Sequence, residues 1–535
     1  MLKILRNIKF IYVFWVFFYF FLFCLLLRGS FNYLDPDFGW HLKVGQEIAQ
    51  TGTVPHLNHY NYTFTGNWVD HEWLSNLLVY QLDSHFGYPA VVIFFVLVII
   101  LVLILLNIWA HRVIPERLTF NIAFFQFLGT VASLPHFGVR IQELGLLFLL
   151  LLLLIITQYN KNKNWLILLW LPPLLYLWAC LHASFLIGFF LAGAWLAIKI
   201  SEKIFIHFWG ESWFNPTRLL KRKEIFIFAG SLVSSFVVTL FTPYKLELYS
   251  FLGKTYFQKT FYQNHIQEWL SQFYFPLNYW QLIYLAFLVM ALILAVCYSR
   301  RHEKHQRLDL WALFLAVLFI FLSFKSRRHF PLMFVATFIF MIETFSLALK
   351  TPRSAGKTRF NIWLKLYLLI CLFLVALFQL VQTRIVRDPF RSFCRTYPCR
   401  AVSFLQARPE YNSFNLLNDY GWGGYLIKNL PERKLFIDGR LPQITISDRT
   451  YLEEYYEFYK KDGAIAEKLK QYQIRLILMP VRDRDFKIKK WEKLFFGIKE
   501  EELGARNYLR DYLIASPDWQ PIYYDGTAVV YFKKI

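Results

Sequence analysis

Leu34-Asp35-Pro36-Asp37-Phe38-Gly39-Trp40-His41-Leu42-Lys43 follows closely on the first apolar run of the chain, residues 9 to 27. Two carboxylates, an indole and an imidazole are thereby set a few residues past the end of a membrane helix. Ionisable groups are costly to hold at a membrane surface without water or partners, so such a cluster reads first as a site.

Composition sets the class around that site. The 535 residues are 57% hydrophobic and 20% aromatic, with 57 Phe and a mean hydropathy of +0.37. No ordinary soluble domain carries such a load. Apolar runs of roughly the ~17–25 residues a bilayer requires lie at 9–27, 89–110, 118–135, 144–158, 165–181, 183–198, 225–241, 279–297, 308–324, 330–349 and 362–382, eleven in all. They predict a polytopic α-helical membrane protein with about eleven transmembrane helices. The net charge of +22 raises the question of nucleic acid, but its distribution answers otherwise. With the N-terminus placed inside, the inner connections carry Lys3, Arg6, Lys9, Arg112, Arg117, Lys161, Lys163, Lys199, Lys203, Arg218, Lys221, Arg222, Lys223, Arg300, Arg301, Lys304, Arg307, Lys350, Arg353, Lys357, Arg359 and Lys365. That is 22 Lys and Arg against nine on the outer side. Such a bias sets orientation. It predicts a multi-pass cell-membrane protein with a cytoplasmic N-terminus, an outer first loop and an extracytoplasmic tail, and it excludes a nucleic-acid partner.

No small-residue cleavage site follows Leu27, so the first run reads as a retained helix. Residues 28–88 form a long polar first loop, 242–278 a second outer loop, and 384–535 a separate soluble domain behind a transmembrane domain of 1–383. Cys24, Cys180, Cys297 and Cys371 fall in apolar runs, where they pack as small soft side chains. Cys394 and Cys399, in the exported tail, have the compartment in which thiols pair.

Within the first loop, Phe38 to Gln50 has helical spacing and stops at Gly52, a C-cap; the helix should lie along the membrane surface. A second helix is expected from Asp70-His71-Glu72-Trp73-Leu74-Ser75 with Asp70 as N-cap. The two helices would frame Asp35 and Asp37. Asp37 also fits a plain N-cap, whereas Pro36 separates Asp35 from that role. His71-Glu72 fits helix-start polarity with an ion pair; it is no zinc-protease motif, because position 75 is Ser. Asn61-Tyr62-Thr63 matches a glycosylation sequon of little weight.

The tail reads as a compact α/β domain. Strands are expected at Phe414–Leu417, Leu435–Asp438, Ile474–Met479 and Ala528–Phe532, the last behind an Asp525-Gly526 turn. Thr450 to Gln471 reads as one amphipathic helix. Gly421, Gly423 and Gly424 are spaced too irregularly for a dinucleotide fingerprint and mark a turn where backbone approaches something closely. Asp438 and Arg440 fit a structured turn.

The pattern Asp35-x-Asp37-x-x-Trp40-His41-Leu42-x-x-Gly45, then Gly52-x-x-Pro55, then Trp68-x-x-His71-Glu72-Trp73-Leu74 resembles the first outer loop of membrane glycosyltransferases of the GT-C fold, in the bacterial branch close to protein mannosyltransferase-like enzymes. Arg140-Ile141-Gln142, the stretch Trp178 to Phe185, Thr242-Pro243-Tyr244, Glu268-Trp269, Arg327-Arg328-His329-Phe330, Asp419 to Leu426 and Ile437-Asp438-Gly439-Arg440 extend it over nearly the whole chain. The resemblance implies transfer of a sugar from a polyprenyl-phosphate carrier, at the outer face of the membrane, to a glycan, lipid or protein acceptor. Such chemistry needs a carboxylate base, cations for the leaving phosphate, and an apolar groove for lipid. Asp35 and Asp37 are the base or the ligands of a divalent Mg or Mn ion, with His71 and Glu72 beside them as catalytic candidates. Arg140, Arg327, Arg328 and His329 are the candidate phosphate cations, since the planar guanidinium suits phosphate. Trp40, His41, His182 and Glu268 complete the candidates. Arg327, Arg328 and His329 also suit interfacial anchors, though their clustering between two apolar runs keeps the phosphate role ahead, and His182 suits a packed turn equally well.

Two other classes remain. A transporter or flippase of lipid-linked sugar should carry charges near helix midpoints and broken helices, whereas the ionisable residues here fall at outer helix ends. A non-catalytic membrane scaffold would leave Asp35 and Asp37 without a reason.

Overall fold

The computed structural model describes residues 10–113, 119–209, 219–257, 261–274, 277–301, 309–348, 362–446, 448–461, 464–481 and 507–534. Of the inner basic residues, Lys3, Arg6, Lys9, Arg117, Arg218, Lys304, Arg307, Lys350, Arg353, Lys357 and Arg359 lie outside them. The chain forms two compact units: residues 1–32, 92–242 and 278–385, and residues 33–91, 243–277 and 386–535.

The first unit is helical. Among the described residues of the whole chain, seven helices are long and apolar enough to cross a bilayer: Phe10–Phe31, Tyr88–Arg112, Gln142–Asn162, Phe185–Phe205, Tyr279–Cys297, Arg327–Ser346 and Leu364–Val381. The expected count of eleven is not reached. Thr119–Ser133 has 15 residues and Leu310–Lys325 has 16. At ~1.5 Å per residue neither spans a ~30 Å hydrocarbon layer unaided. The run at 165–181 opens as a 3-10 segment, Trp165–Trp170, before Leu171–Leu181, and Arg222–Thr239 begins on Arg222-Lys223-Glu224, which shortens its apolar part.

Phe10–Phe31 packs along Ile362–Val381, where Arg28 Nη1 donates to Gln379 Oε1 at 2.7 Å. Lys199 does not sit in a connection. The helix Phe185–Trp209 continues through it, and buried Lys199 pairs with Glu202 at 2.7 Å. The rule that ionisable residues keep to outer helix ends therefore has this exception, tolerated because each charge satisfies the other.

The second unit gathers the first loop, the second outer loop and the tail. Its sheet has the order β1 (Asn415–Asn418), β2 (Ile474–Pro480), β4 (Ala528–Lys533), β3 (Trp519–Tyr524), with β1 parallel to β2 and the other pairs antiparallel. Strand β3 was not expected. Its signal was the Asp525-Gly526 turn, whose Asp525 Oδ1 accepts from the Thr527 and Ala528 N–H groups. A turn of that kind needs a strand on both sides, and Pro521 is tolerated because β3 is an edge.

The expected strand at 435–438 shrinks to single bridges of Leu435 with Leu416 and Asn61. The buried side chain of Asn418 replaces the ladder there, its Oδ1 accepting from Phe436 N and its Nδ2 donating to Ile437 O. The expected helix 450–471 is two short ones, Tyr451–Glu457 and Ile465–Gln471. Thr450 caps the first through a reciprocal bond pair with Glu453; Gly463, a poor helix former, lies between them in sequence but outside the described residues. Cys394 and Cys399 form a disulfide, Cα atoms 5.2 Å apart.

The first loop is built into the tail. Leu435 N–H donates to Tyr60 O and Tyr62 N–H to Leu435 O, so the loop covers the β1 side of the sheet. Tyr62 and Phe64 pack on the tail core, as does Tyr262 of the second outer loop, which is fully buried in it. Arg440 ties these pieces together. It is ion-paired with Asp438 at 2.8 Å, donates to Asn58 and Asn61, and lies over the rings of Tyr60 and Trp68. The sequon thereby loses its meaning in the folded protein: Asn61 is 0% exposed and Thr63 Oγ1 donates to Phe436 O.

Two outcomes follow. Arg440→Met leaves Asp438 charged and buried, which costs ~3–5 kcal/mol, so thermal unfolding followed by protease sensitivity of the tail should move to clearly lower temperature. Peptide mapping without reduction should recover Cys394 and Cys399 linked.

Candidate functional site

The helix Phe38–Thr51 starts on Asp37 and ends at Gly52, whose left-handed backbone (φ 67°) caps it as expected. Asp37 is not a capping side chain; its carboxylate makes no cap bond. Its Oδ1 instead accepts from Trp40 Nε1 at 2.9 Å, while Asp35 Oδ1 accepts from the Asp37 N–H at 2.9 Å. Backbone of the tail closes on this corner. A Cβ at Gly39 would overlap the Gly424 carbonyl oxygen, one at Gly424 the Pro36 oxygen, and one at Gly439 would overlap Asp37 Oδ1. The expected close approach at Gly424 is thus onto the first loop, and Ile437-Asp438-Gly439-Arg440 lies against Asp37 itself.

The second helix starts at Trp73, not at Asp70, and Glu72 precedes it without a side-chain cap bond. Asp70 is 1% exposed; it accepts from the Glu72 N–H at 3.1 Å and from Asn76 Nδ2 at 2.8 Å. His71 Nε2 lies 3.5 Å from Glu72 Oε1, which is the ion pair of the plainer reading. His41 Nδ1 lies 2.6 Å from Asn76 Oδ1, and its ring centroid 3.7 Å from that of Trp40.

Electrostatics single out Asp37. Burial raises its carboxyl, Asp35 raises it further, the Trp40 N–H pulls back, and Glu268 and Glu72 raise it again, leaving it near 8. Asp70 is raised to about 6, chiefly by burial. Burial lowers His41, against the opposing pull of Glu72. In His71 burial also acts downward, but Glu72 and Asp70 outweigh it and the net shift is up. Asp35, Asp37, Trp40, His41, His71, Glu72 and Glu268 therefore share one unit, and Asp35, Glu72 and Glu268 act on Asp37 from three stretches of chain. The sequence reading missed Asn76 and the role of Asp70. The signal was available in a buried-face Asn placed six residues after an Asp.

The other candidates belong to the helical unit. Arg140 is buried just before the helix Gln142–Asn162, where Glu143 Oε1 accepts from Gly138 N–H at 2.6 Å. Arg327, Arg328 and His329 form one 3-10 turn between Leu310–Lys325 and Phe330–Ala348, with Arg327 buried and the His329 Nδ1–H donating to Leu322 O. His182 closes a turn: its Nδ1 accepts from the Ser184 N–H, and Ser184 Oγ accepts from Trp178 Nε1. Among the described residues no three His, Cys, Asp or Glu side chains converge at metal-binding spacing.

No protein-family profile and no curated protein matches the sequence. The fold is recognisable. The chain is similar to the Archaeoglobus fulgidus oligosaccharyltransferase crystallised with a tethered acceptor peptide carrying the NVT sequon: TM-score 0.54, 9% identity, covering 89% of this chain and 69% of that one. The apo form of the same enzyme aligns with TM-score 0.48 and 9% identity, over 89% of this chain and 70% of that one. The GT-C-like architecture implied by the sequence is the architecture found.

The raised Asp37 carboxyl has a measurable cost. An unfolded Asp ionises near ~3.9, and folding holds the proton to about 8, so the folded state loses stability as pH rises between those values. Asp37→Asn removes the penalty. Its thermal midpoint should exceed that of the wild type by at least ~2 °C above pH ~8 and by little below pH ~4.

Proposed function

We propose that the protein is a membrane glycosyltransferase of GT-C type that moves a sugar from a polyprenyl-phosphate-linked donor to a glycan, lipid or protein acceptor at the outer face of a cell membrane. In this reading the N-terminus is cytoplasmic, and the first loop and tail are extracytoplasmic. The observation that carries it is Asp37: a carboxyl tethered by Trp40, crowded by Asp35, Glu72 and Glu268, and set against Gly439 on an oligosaccharyltransferase-like fold.

The reaction requires a bond from the acceptor oxygen or nitrogen to the anomeric carbon as the bond from that carbon to the carrier phosphate breaks. The acceptor's proton must leave with it. A carboxylate whose proton affinity lies near the working pH is well matched to receive that proton, and Asp37 is the group so tuned, with Asp35 fixing its backbone. His71 and Glu72 shape the field around it. The departing phosphate needs positive charge, and the resemblance assigns that part to Arg140, Arg327, Arg328 and His329. Asp35 and Asp37 are oxygen donors of the kind that Mg or Mn takes, but among the described residues no third His, Cys, Asp or Glu converges with them to hold an ion, and no step of the reaction is assigned to one.

The test compares lipid extracts and transfer rates. Cells lacking the protein should accumulate a polyprenyl-linked sugar, and Asp37→Asn or Asp35→Asn should fail to clear it, with turnover reduced ~100-fold or more at normal membrane insertion. Native transfer rates in both variants would remove the active site from the first loop.

A further inference from the structure

Behind Asp37 runs a chain of buried groups that leads through Trp40 and His41 to Asn76 and Asp70, two residues the resemblance does not assign. Asp70 has one carboxylate oxygen bound by the Glu72 N–H and the other by Asn76 Nδ2. Asn76, 0% exposed, presents Oδ1 to His41 Nδ1 at 2.6 Å. The His41 ring rests on Trp40, and Trp40 Nε1 donates to Asp37. The helices carrying Asn76 and His41 touch where a Cβ at Gly45 would overlap the Asn76 carbonyl, and glycine there brings the amide within reach.

Donor and acceptor chemistry leaves one arrangement of protons along this chain. Ionised Asp70 can only accept, so the Asn76 NH2 faces it and the Asn76 oxygen faces His41. His41 must then carry its proton on Nδ1. An asparagine without Asp70 behind it has no such preference and can present either end of its amide.

We propose that Asp70 and Asn76 are positioning residues that lock His41 as the Nδ1–H tautomer, and that the locked ring backs the Trp40 indole and so fixes the Asp37 carboxylate. The proposal rests on Asp37 being the acid–base group. Asp37 needs the support because Asp35, Glu72 and Glu268 all repel its charged form, while one indole N–H holds it. A misplacement of ~1 Å at a reacting group costs ~100-fold in rate. His41 itself also faces Glu72, Asp35 and His71, which stay the same in every variant below.

The experiment uses the full-length protein in lipid nanodiscs with 15N-labelled histidine, the His41 signals being identified by their loss in His41→Asn. Wild-type His41 should show the Nδ1–H tautomer. Asn76→Leu should give a tautomer mixture and a kcat lowered ~10- to 100-fold, with donor KM within about twofold of wild type. The double exchange Asp70→Asn with Asn76→Asp rebuilds both hydrogen bonds with the carboxylate moved next to the imidazole. It should restore the single tautomer, raise the pH at which His41 titrates, and recover most of kcat, and it serves in place of Asn76→Leu should that variant fail to insert. An Nε2–H tautomer in the wild type, or native kcat in Asn76→Leu while Asp37→Asn is inactive, overturns the proposal and leaves the site reading standing. Native kcat in Asp37→Asn overturns both.

Discussion

Arg440 and Asp438 form an ion pair with side chains 2% and 0% exposed, and a pair buried that deeply leans on the groups packed around it. Asn58 and Asn61, from a segment nearly four hundred residues earlier, both accept from Arg440 Nη2, while Tyr60 and Trp68 supply ring faces for the guanidinium, whose Nη1 has no hydrogen-bond partner. The two helices of the first loop, Phe38–Thr51 and Trp73–Phe86, pack on each other, with Phe38, Trp40, Leu42, Val44 and Ile48 buried, whereas the stretch between them, residues 52–72, has no helix or strand of its own. The ordering of that stretch depends on the Arg440–Asp438 pair, on the backbone bonds of Tyr60 and Tyr62 to Leu435, and on the seating of Tyr62 and Phe64 against the tail core.

The site that this arrangement holds is electrostatically unfavourable in isolation. Asp35, Asp37, Glu72 and Glu268 repel one another, and the Trp40 N–H is a small offset. Gly439 and Gly424 carry no side chain, so backbone of the tail reaches the corner. Stability is thus given up at Asp37, the group to which the proposed reaction assigns the proton. Asp70 and Asn76 add the complementary feature. They are buried and hydrogen-bonded, and as proposed they hold the orientation of a carboxylate that repulsion would otherwise scatter.

Several readings failed for reasons that lie in particular residues. Asp70 has the look of an N-cap in the sequence, but helix formation begins three residues later at Trp73, because burial makes Asn76 its partner. Leu435–Asp438 has strand composition, yet the amide of Asn418 takes its backbone and leaves a single residue bridged. Runs such as 118–135 and 308–324 count as spans by hydropathy, whereas the helices they form are 15 and 16 residues long. Hydropathy measures composition along a window, and helix length is settled by where local hydrogen bonding stops.

The sequence by itself determined the multi-pass helical membrane class and the helix that starts at Phe38 and is capped by Gly52. Those properties depend on composition, periodicity and residues close together in the chain. Only the tertiary structure decided that Gly439 of the tail abuts Asp37, that Glu268 joins the carboxylates, that Asn61 is sealed beneath Arg440, and that Asp70 binds Asn76, Asn76 reaches His41 and the His41 ring rests on Trp40. Each of these joins residues distant in the chain or turns on which end of an amide faces which neighbour. Periodicity carries no information about either, because both are set by the packing of three separate stretches into one core.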